Sequence, residues 1–196
     1  GQRQPQGRLA AGQVRLQRAQ WPAEHRGGLF MAEREVVAVD QRGTYLACAV
    51  FGSRMAELGA GAIVNIASIT SMRSVPLHAY APAKAAVASM TACLAAEWGR
   101  AGVRVNAISP GYVLTEALQA AIDRGDRNPE DLTSQAAMGR MVTPDEIADS
   151  VGFLLSPAAK AITGINLPVD AGWLAGSTWQ TYGGVPPAQT NTSGGH

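Results

Sequence analysis

The stretch Ala62-Ile63-Val64-Asn65-Ile66-Ala67, followed by Ser68, decides the fold. It is a short and nearly continuous apolar run, which is typical of a strand buried on both faces of a sheet. Val103-Arg-Val-Asn-Ala-Ile108 and Ile165-Asn-Leu-Pro-Val169 have related patterns. Helical patterns separate these runs, and strands that alternate with helices predict a parallel sheet with right-handed crossovers. The sequence therefore predicts an α/β fold.

Helical patterns complete this arrangement. Apolar residues near one helical face predict a helix over about 33–58, and an apolar stripe predicts a longer one over roughly 79–100. Thr143-Pro-Asp-Glu146 has the residues of a capping box with Pro at the first helical position, which predicts a helix that ends near Ser156. Residues 115–140 are polar and weakly patterned, as expected of a segment that passes over a site.

The ends of the chain differ from this patterned middle. Residues 1–30 are rich in Gln, Arg, Gly and Ala, and their few apolar residues follow no period, which predicts a disordered or non-native segment. Residues 31–180 form the predicted domain. In 181–196 Gly, Ser, Thr and Pro dominate, which predicts a flexible tail.

The composition excludes several classes of protein. The chain has 196 residues, 46% of them hydrophobic and 16% charged, which suits one domain with a sizeable core and argues against wholesale disorder. Its net charge of +1 argues against binding to nucleic acid. No apolar run approaches the length of a membrane span, and no apolar segment of a secretory signal follows the first residues. We therefore expect a cytoplasmic protein with no nucleic-acid or membrane partner.

The two cysteines give no sign of a metal site or a disulfide framework. Cys48 and Cys93 lie far apart in the sequence, and neither belongs to a CxxC or Cys/His pattern. We expect two buried free thiols in a reducing compartment, and no metal.

Tyr80 and Lys84 are the residues most suited to chemistry. At i and i+4 near a helix start they share one face. An ammonium near a phenol favours the phenolate, so such a pair can act as a general acid/base. Ser68 lies at the end of a predicted strand, where parallel sheets place their sites, and its hydroxyl can bond a substrate oxygen. Spacing alone favours the plainer alternative, in which Tyr80 and Lys84 are ordinary helix-surface residues.

A series of motifs decides between a catalytic pair and ordinary helix-surface residues, because the series resembles that of a known family. The series, in chain order, is Ile63-Val-Asn-Ile-Ala-Ser68, Tyr80-Ala-Pro-Ala-Lys84, Val103-Arg-Val-Asn-Ala-Ile-Ser-Pro-Gly111, Pro110-Gly-Tyr-Val-Leu-Thr115, Thr143-Pro-Asp-Glu-Ile-Ala148, Thr163-Gly164 and Val169-Asp-Ala-Gly172. Over about residues 31–180 it resembles the short-chain dehydrogenase/reductase family. The resemblance implies a Rossmann-like doubly wound parallel sheet, NAD or NADP as cofactor, and hydride transfer between the nicotinamide and a small-molecule alcohol or carbonyl.

The resemblance also implies a role for each matching residue. Tyr80 is the general acid/base, Lys84 holds the cofactor ribose and favours the tyrosinate, and Ser68 orients the substrate oxygen. The segment that lies against the nicotinamide implies cofactor contacts from Pro110, Gly111, Val113 and Thr115. The family also implies a homo-oligomer, a dimer or tetramer built on the helices near 33–58 and 79–100.

Two departures from the family pattern limit the prediction. The family has a catalytic asparagine in a Val-Asn-x-x-Gly context, and this chain has Asp40 there, which lacks the amide donor and adds a charge. The Gly-rich turn that takes the pyrophosphate is absent from the sequence. We expect a sheet truncated at its N-terminal half and an oxidoreductase incomplete in this chain. The alternative is a non-catalytic remnant that acts as an oligomerisation or interaction module.

Overall fold

The computed structural model of the chain describes residues 33–187. The predicted disordered segment up to residue 30 and most of the predicted tail, from residue 188 onward, lie outside the described residues. Within them, the strands β1 (Gly61–Ile66), β2 (Val103–Pro110) and β3 (Asn166–Val169) form one parallel sheet in the order β1-β2-β3. The sequence analysis predicted these three strands and their parallel arrangement, and the structure confirms both.

Six helices accompany the strands in the described part of the chain, apart from short 3-10 turns. They are α1 over residues 33–58, α2 (Tyr80–Trp98), α3 (Glu116–Asp123), α4 (Pro129–Thr133), α5 (Pro144–Leu155) and α6 (Trp173–Gly176). The predicted capping box is present: the Thr143 hydroxyl accepts from the Glu146 N–H, and the Glu146 carboxylate accepts from the Thr143 N–H. None of these helices is long and apolar enough to cross a bilayer.

Helix α1 changes its winding along its length. Glu33–Val36, Thr44–Ala47 and Ser53–Leu58 have α geometry, whereas Val37–Gly43 and Cys48–Gly52 have π geometry. The junction residues between these segments keep right-handed helical dihedrals, so the helix is continuous. It ends at Gly59, whose φ of 76° lies in the left-handed region.

The core lies on both faces of the sheet because alternate residues of β2 point in opposite directions. Val103 and Val105 pack with α1 and α2, where Cys48, Ala95 and Trp98 complete a buried cluster. Ile108 packs on the other face against Leu154 of α5. Helices therefore cover both faces, as a doubly wound fold requires.

The prediction of two buried thiols was wrong for one of them. Cys48 is 3% exposed, whereas Cys93 is exposed to solvent. The buried face of α2 includes Val87, Thr91 and Ala95. Cys93 lies two residues after Thr91, about 200° around the helix, and so faces outward.

Candidate active site

The carboxyl edge of the sheet collects the predicted catalytic residues. Ser68 follows β1 and is 7% exposed. It begins a single 3-10 turn, Ile69–Ser71, and its Oγ accepts from the Thr70 N–H at 3.2 Å. Because the oxygen is the acceptor there, the hydroxyl hydrogen can be donated to a substrate oxygen.

Lys84 connects α2 to the end of β1. Its Nζ donates to the Ile66 carbonyl at 3.0 Å, two residues before Ser68. The same Nζ lies 5.5 Å from the centroid of the Tyr80 ring, so the two residues share a helix face as their spacing predicted. The Lys84 side chain is only 10% exposed, which makes a compensating charge necessary.

Asp40 supplies that charge. Its Oδ1 lies 2.8 Å from Lys84 Nζ, although the two residues belong to different helices. An ammonium has three hydrogens. The bonds to Asp40 and to the Ile66 carbonyl engage two of them, which leaves one for a ligand. The structure therefore brings Asp40, Lys84 and Tyr80 together beside the strand that leads to Ser68.

The segment after β2 is held by its neighbours in the fold. A Cβ atom on Gly111 would lie 2.8 Å from the Cα of Asp170, so glycine is the residue that fits. Val113 forms a parallel bridge with Val142. Thr115 caps α3, and its hydroxyl accepts from the Leu118 N–H at 3.2 Å.

These contacts fix the course of residues 110–115. Among the residues of this segment that are expected to contact the cofactor, only Thr115 has a polar side chain, and its hydroxyl is engaged in capping α3. The cofactor contacts expected from this segment thus remain a prediction.

A cavity of about 460 Å³ opens between α1 and β1. Asp40 and Lys84 line one part of it, and Cys48, Phe51 and Asn65 line another. The Cys48 thiol donates to Asn65 Oδ1 at 3.3 Å, and burial raises the pKa of this thiol. The ion pair is therefore beside a space bounded largely by apolar groups.

The sequence analysis missed three polar residues under Ser68. Ser71, Ser109 and Asn166 come from the 3-10 turn, β2 and β3, and they form hydrogen bonds with one another and with the Ser68 carbonyl. Ser109 lies in a stretch that was noticed only for its family pattern. A serine near the carboxyl end of a predicted parallel strand was the signal that could have found it.

Comparison with known proteins assigns the family. The sequence profile described as enoyl-(acyl carrier protein) reductase matches residues 32–174, which is most of the chain. The chain belongs to the short-chain dehydrogenase/reductase family. Membership in this family accounts for the open parallel sheet with helices on both faces.

Three similar proteins show how much of the chain is shared with known proteins. D-threitol dehydrogenase of Mycolicibacterium smegmatis is 45% identical over 140 residues, covering 70% of this chain and 52% of that protein. A crystal structure described as ribose-5-phosphate isomerase from Brucella melitensis 16M is 52% identical with a TM-score of 0.74, and the match covers 80% of this chain and 62% of that one.

The third similar protein is a crystal structure from Beutenbergia cavernae, described as a putative NAD(P) dependent gluconate 5-dehydrogenase with bound NADP at low occupancy. It is 39% identical with a TM-score of 0.66, and the match covers 73% of this chain and 57% of that one. The chain spans about half the length of the curated family members that it matches.

Proposed function

We propose that the chain carries the catalytic part of an NAD(P)-dependent oxidoreductase that interconverts an alcohol and a carbonyl group. The observation that carries the proposal is the position of Lys84, which contacts Asp40 and the Ile66 carbonyl and lies beside the Tyr80 ring. A fixed ammonium close to a phenol favours the phenolate, and the phenolate is the form that accepts a proton.

In the proposed mechanism, Tyr80 moves the proton and Ser68 orients the substrate. During alcohol oxidation the phenolate oxygen of Tyr80 takes the hydroxyl proton while the Ser68 hydroxyl donates a hydrogen bond to the same substrate oxygen. During carbonyl reduction Tyr80 returns the proton to that oxygen. Lys84 lies beside the Tyr80 ring with one N–H left for a ligand, and Asp40 keeps the ammonium in position.

The described residues fit one end of a nicotinamide dinucleotide. Lys84 and Tyr80 present an N–H and a hydroxyl group suited to ribose hydroxyls, and residues 110–115 lie at the same sheet edge. The turns that follow β1, β2 and β3 do not carry the spaced glycines that a pyrophosphate requires. When bound, NAD or NADP would supply the hydride acceptor or donor for the carbon next to the substrate oxygen.

We infer a polyhydroxylated substrate class. Threitol and gluconate, named for two of the similar proteins, are open carbon chains with several hydroxyl groups. The serine-bearing turn and the start of α2 offer hydroxyl and backbone groups to such a chain. D-threitol is therefore the first substrate to test.

We also propose that the chain forms a homo-oligomer. Val39, Val50 and Phe51 of α1 are each more than 60% exposed. Grouped apolar side chains on a single helix are typical of a protein interface. A dimer or tetramer that buries them is the expected assembly.

The test of the enzymatic proposal joins this chain to the part of the D-threitol dehydrogenase that its match does not cover, and follows reduced nicotinamide by absorbance with D-threitol and either NAD or NADP. We expect turnover, and we expect Tyr80→Phe to lower kcat/KM by about 100-fold or more. Tyr182→Phe is the matched control, since Tyr182 is 89% exposed and outside the site. Full activity in the Tyr80→Phe form of the joined protein, or no binding of either cofactor by the joined protein, would refute the proposal.

A second candidate function is a non-catalytic interaction module, favoured by the open edge of β1. The backbone N–H groups of Gly61 and Ala67 donate toward β2. Those of Ala62, Val64 and Ile66 therefore face the opposite side, where the described residues supply no strand. A module of this kind would bind a full-length relative, such as the threitol dehydrogenase, and would bind no cofactor. Co-elution in size-exclusion chromatography together with calorimetry against NAD and NADP separates the two functions.

A further inference from the structure

Three polar side chains converge beneath Ser68. The Ser68 carbonyl oxygen lies 2.7 Å from Ser71 Oγ and 2.9 Å from Ser109 Oγ. Asn166 joins both serines, with Oδ1 2.8 Å from Ser109 Oγ and Nδ2 3.2 Å from Ser71 Oγ. We call Ser71, Ser109 and Asn166 the polar clamp.

The clamp holds one carbonyl group very firmly. The Ser71 N–H also donates to the Ser68 carbonyl, at 2.9 Å, so that three donors point at an oxygen with two lone pairs. Ser109 has a single hydroxyl hydrogen and two acceptors within reach, namely the Ser68 carbonyl and Asn166 Oδ1. The bond from the Ser71 N–H to the Ser68 carbonyl is therefore always present. The hydroxyl hydrogen of Ser109 is shared between the Ser68 carbonyl and Asn166 Oδ1.

Burial makes these bonds costly to lose. Ser109 is fully buried, and Ser68 is 7% exposed. A polar group left without a partner in such a place keeps its desolvation penalty. The clamp also comes from three separate elements, so it ties the turn after β1 to β2 and β3.

Ser68 is the residue whose position matters most here, since its hydroxyl orients the substrate oxygen in the proposed function. The carbonyl and the hydroxyl belong to the same residue, and the hydroxyl is already directed by the Thr70 N–H. Thr70 belongs to the same 3-10 turn, which is closed by the bond from the Ser71 N–H to the Ser68 carbonyl. Holding that carbonyl therefore keeps the turn closed and the Thr70 N–H in place for the Ser68 hydroxyl.

We propose that Asn166 is a positioning residue for Ser68, acting through Ser109 and Ser71. The effect on catalysis rests on the proposed function, whereas the effect on the position of Ser68 does not. Asn166 touches neither substrate nor the reacting atoms in this scheme. Asn166 lies in β3, the strand next to β2, and fixes the geometry of Ser68 from there.

The first test is amide hydrogen exchange, measured by mass spectrometry on peptides that cover residues 66–73. Asn166→Leu keeps the size of the side chain and removes both of its hydrogen bonds. We expect the Ser71 and Met72 amides, which close the 3-10 turn, to exchange about tenfold faster, with little change in β1 or β2. Thr163→Val is the matched control, because the Thr163 hydroxyl accepts from the Val105 N–H and does not join the clamp.

A second variant keeps the test decisive if Asn166→Leu folds poorly. Ser71→Ala removes one member from a turn at the sheet edge and should raise the same two exchange rates. Unchanged exchange in residues 68–72 in either variant would overturn the inference. An equal increase across β1, β2 and this turn would also overturn it, because it would indicate a general structural role.

The activity measurement separates this inference from the proposed function. In a chain that oxidises D-threitol, Asn166→Leu should lower kcat about tenfold while the Kd for the cofactor stays within twofold. A lower cofactor affinity with unchanged kcat would contradict positioning of Ser68. If the joined protein shows no turnover, the proposed function fails, and the exchange experiment on the chain itself decides whether the clamp holds the turn.

Discussion

Asp40 Oδ1 lies 2.8 Å from Lys84 Nζ, and the two side chains are 21% and 10% exposed. The pair joins α1 to α2 where β1 ends, because Lys84 also donates to the Ile66 carbonyl. An asparagine, which the family pattern has at position 40, would carry no charge to balance the ammonium. The Asp40 carboxylate therefore balances the charge of the Lys84 ammonium at this edge of the sheet.

Asp40→Asn removes that compensation with little change in shape. We expect the free energy of unfolding to fall by about 1–3 kcal/mol, because the ammonium of Lys84 stays largely buried without its partner. Urea unfolding measures the change. The control is Asp126→Asn, whose ion pair with Arg124 is more than half exposed and should contribute within about 0.5 kcal/mol. Equal effects of the two substitutions would show that the Asp40 pair is an ordinary surface contact.

Gly111→Ala tests the close approach after β2. The new Cβ would lie 2.8 Å from the Cα and Cβ of Asp170, so the backbone must move, and we expect a loss of about 1–3 kcal/mol in the free energy of unfolding. Gly99→Ala provides the contrast, since no atom lies within 4 Å of its added Cβ. That change should be neutral or stabilise by about 0.4–1 kcal/mol. Thermal unfolding of both variants would contradict the packing argument if Gly111→Ala were the milder one.

Glu146 predicts a pH dependence of stability. Hydrogen bonds from Arg140 and from the Thr143 backbone lower the pKa of its carboxyl group from 4.5 to about 2. A lowered folded-state pKa means that this contribution is fully present above about pH 4.5 and is lost as the pH falls toward 2. Glu146→Gln should therefore lower the Tm at neutral pH and have a shrinking effect below pH 4.5.

Melting curves recorded at a series of pH values test the direction of this pH dependence. The control is Asp145→Asn, in the same first turn of α5, since Asp145 forms no ion pair within residues 33–187. The effect of Asp145→Asn on Tm should be small, and its difference from the wild type should not shrink as the pH falls toward 2. A difference between Glu146→Gln and the wild type that grows on acidification would disprove the assignment.

The two cysteines should react at very different rates. Cys93 is exposed, whereas Cys48 is 3% exposed and burial raises the pKa of its thiol, so little of the reactive thiolate is present. A thiol reagent should modify one cysteine in the native protein and both in urea. Cys93→Ser should abolish the native reaction. Rapid modification of that variant would show that solvent reaches Cys48 through the neighbouring cavity.

The sheet and the long helices could be predicted because their residues follow simple local rules. The run from Ala62 to Ala67 is apolar on both sides, and Thr143 to Glu146 has the spacing of a capping box. The association of Tyr80 with Lys84 also followed from helical spacing. The ion pair of Asp40 with Lys84 did not, because only the packing of α1 on α2 brings them together.

Other features depend on contacts between distant parts of the chain. Asn166 lies 95 residues from Ser71 in sequence, and no local pattern marks the bond between them. The exposure of Cys93 depends on which face of α2 meets the sheet, and the many alanines of that helix leave the apolar stripe poorly defined. Short-range periodicity therefore predicts elements well and predicts the polar contacts between them badly.

The π winding of α1 has a consequence for sequence length. Asp40 lies in the segment Val37–Gly43, where each hydrogen-bonded turn closes over one more residue than in an α-helix. Deleting a single residue there would allow α geometry to return and would turn Asp40 about the helix axis, away from Lys84. The length of this segment therefore matters as much as the identity of residue 40 for keeping the ion pair with Lys84.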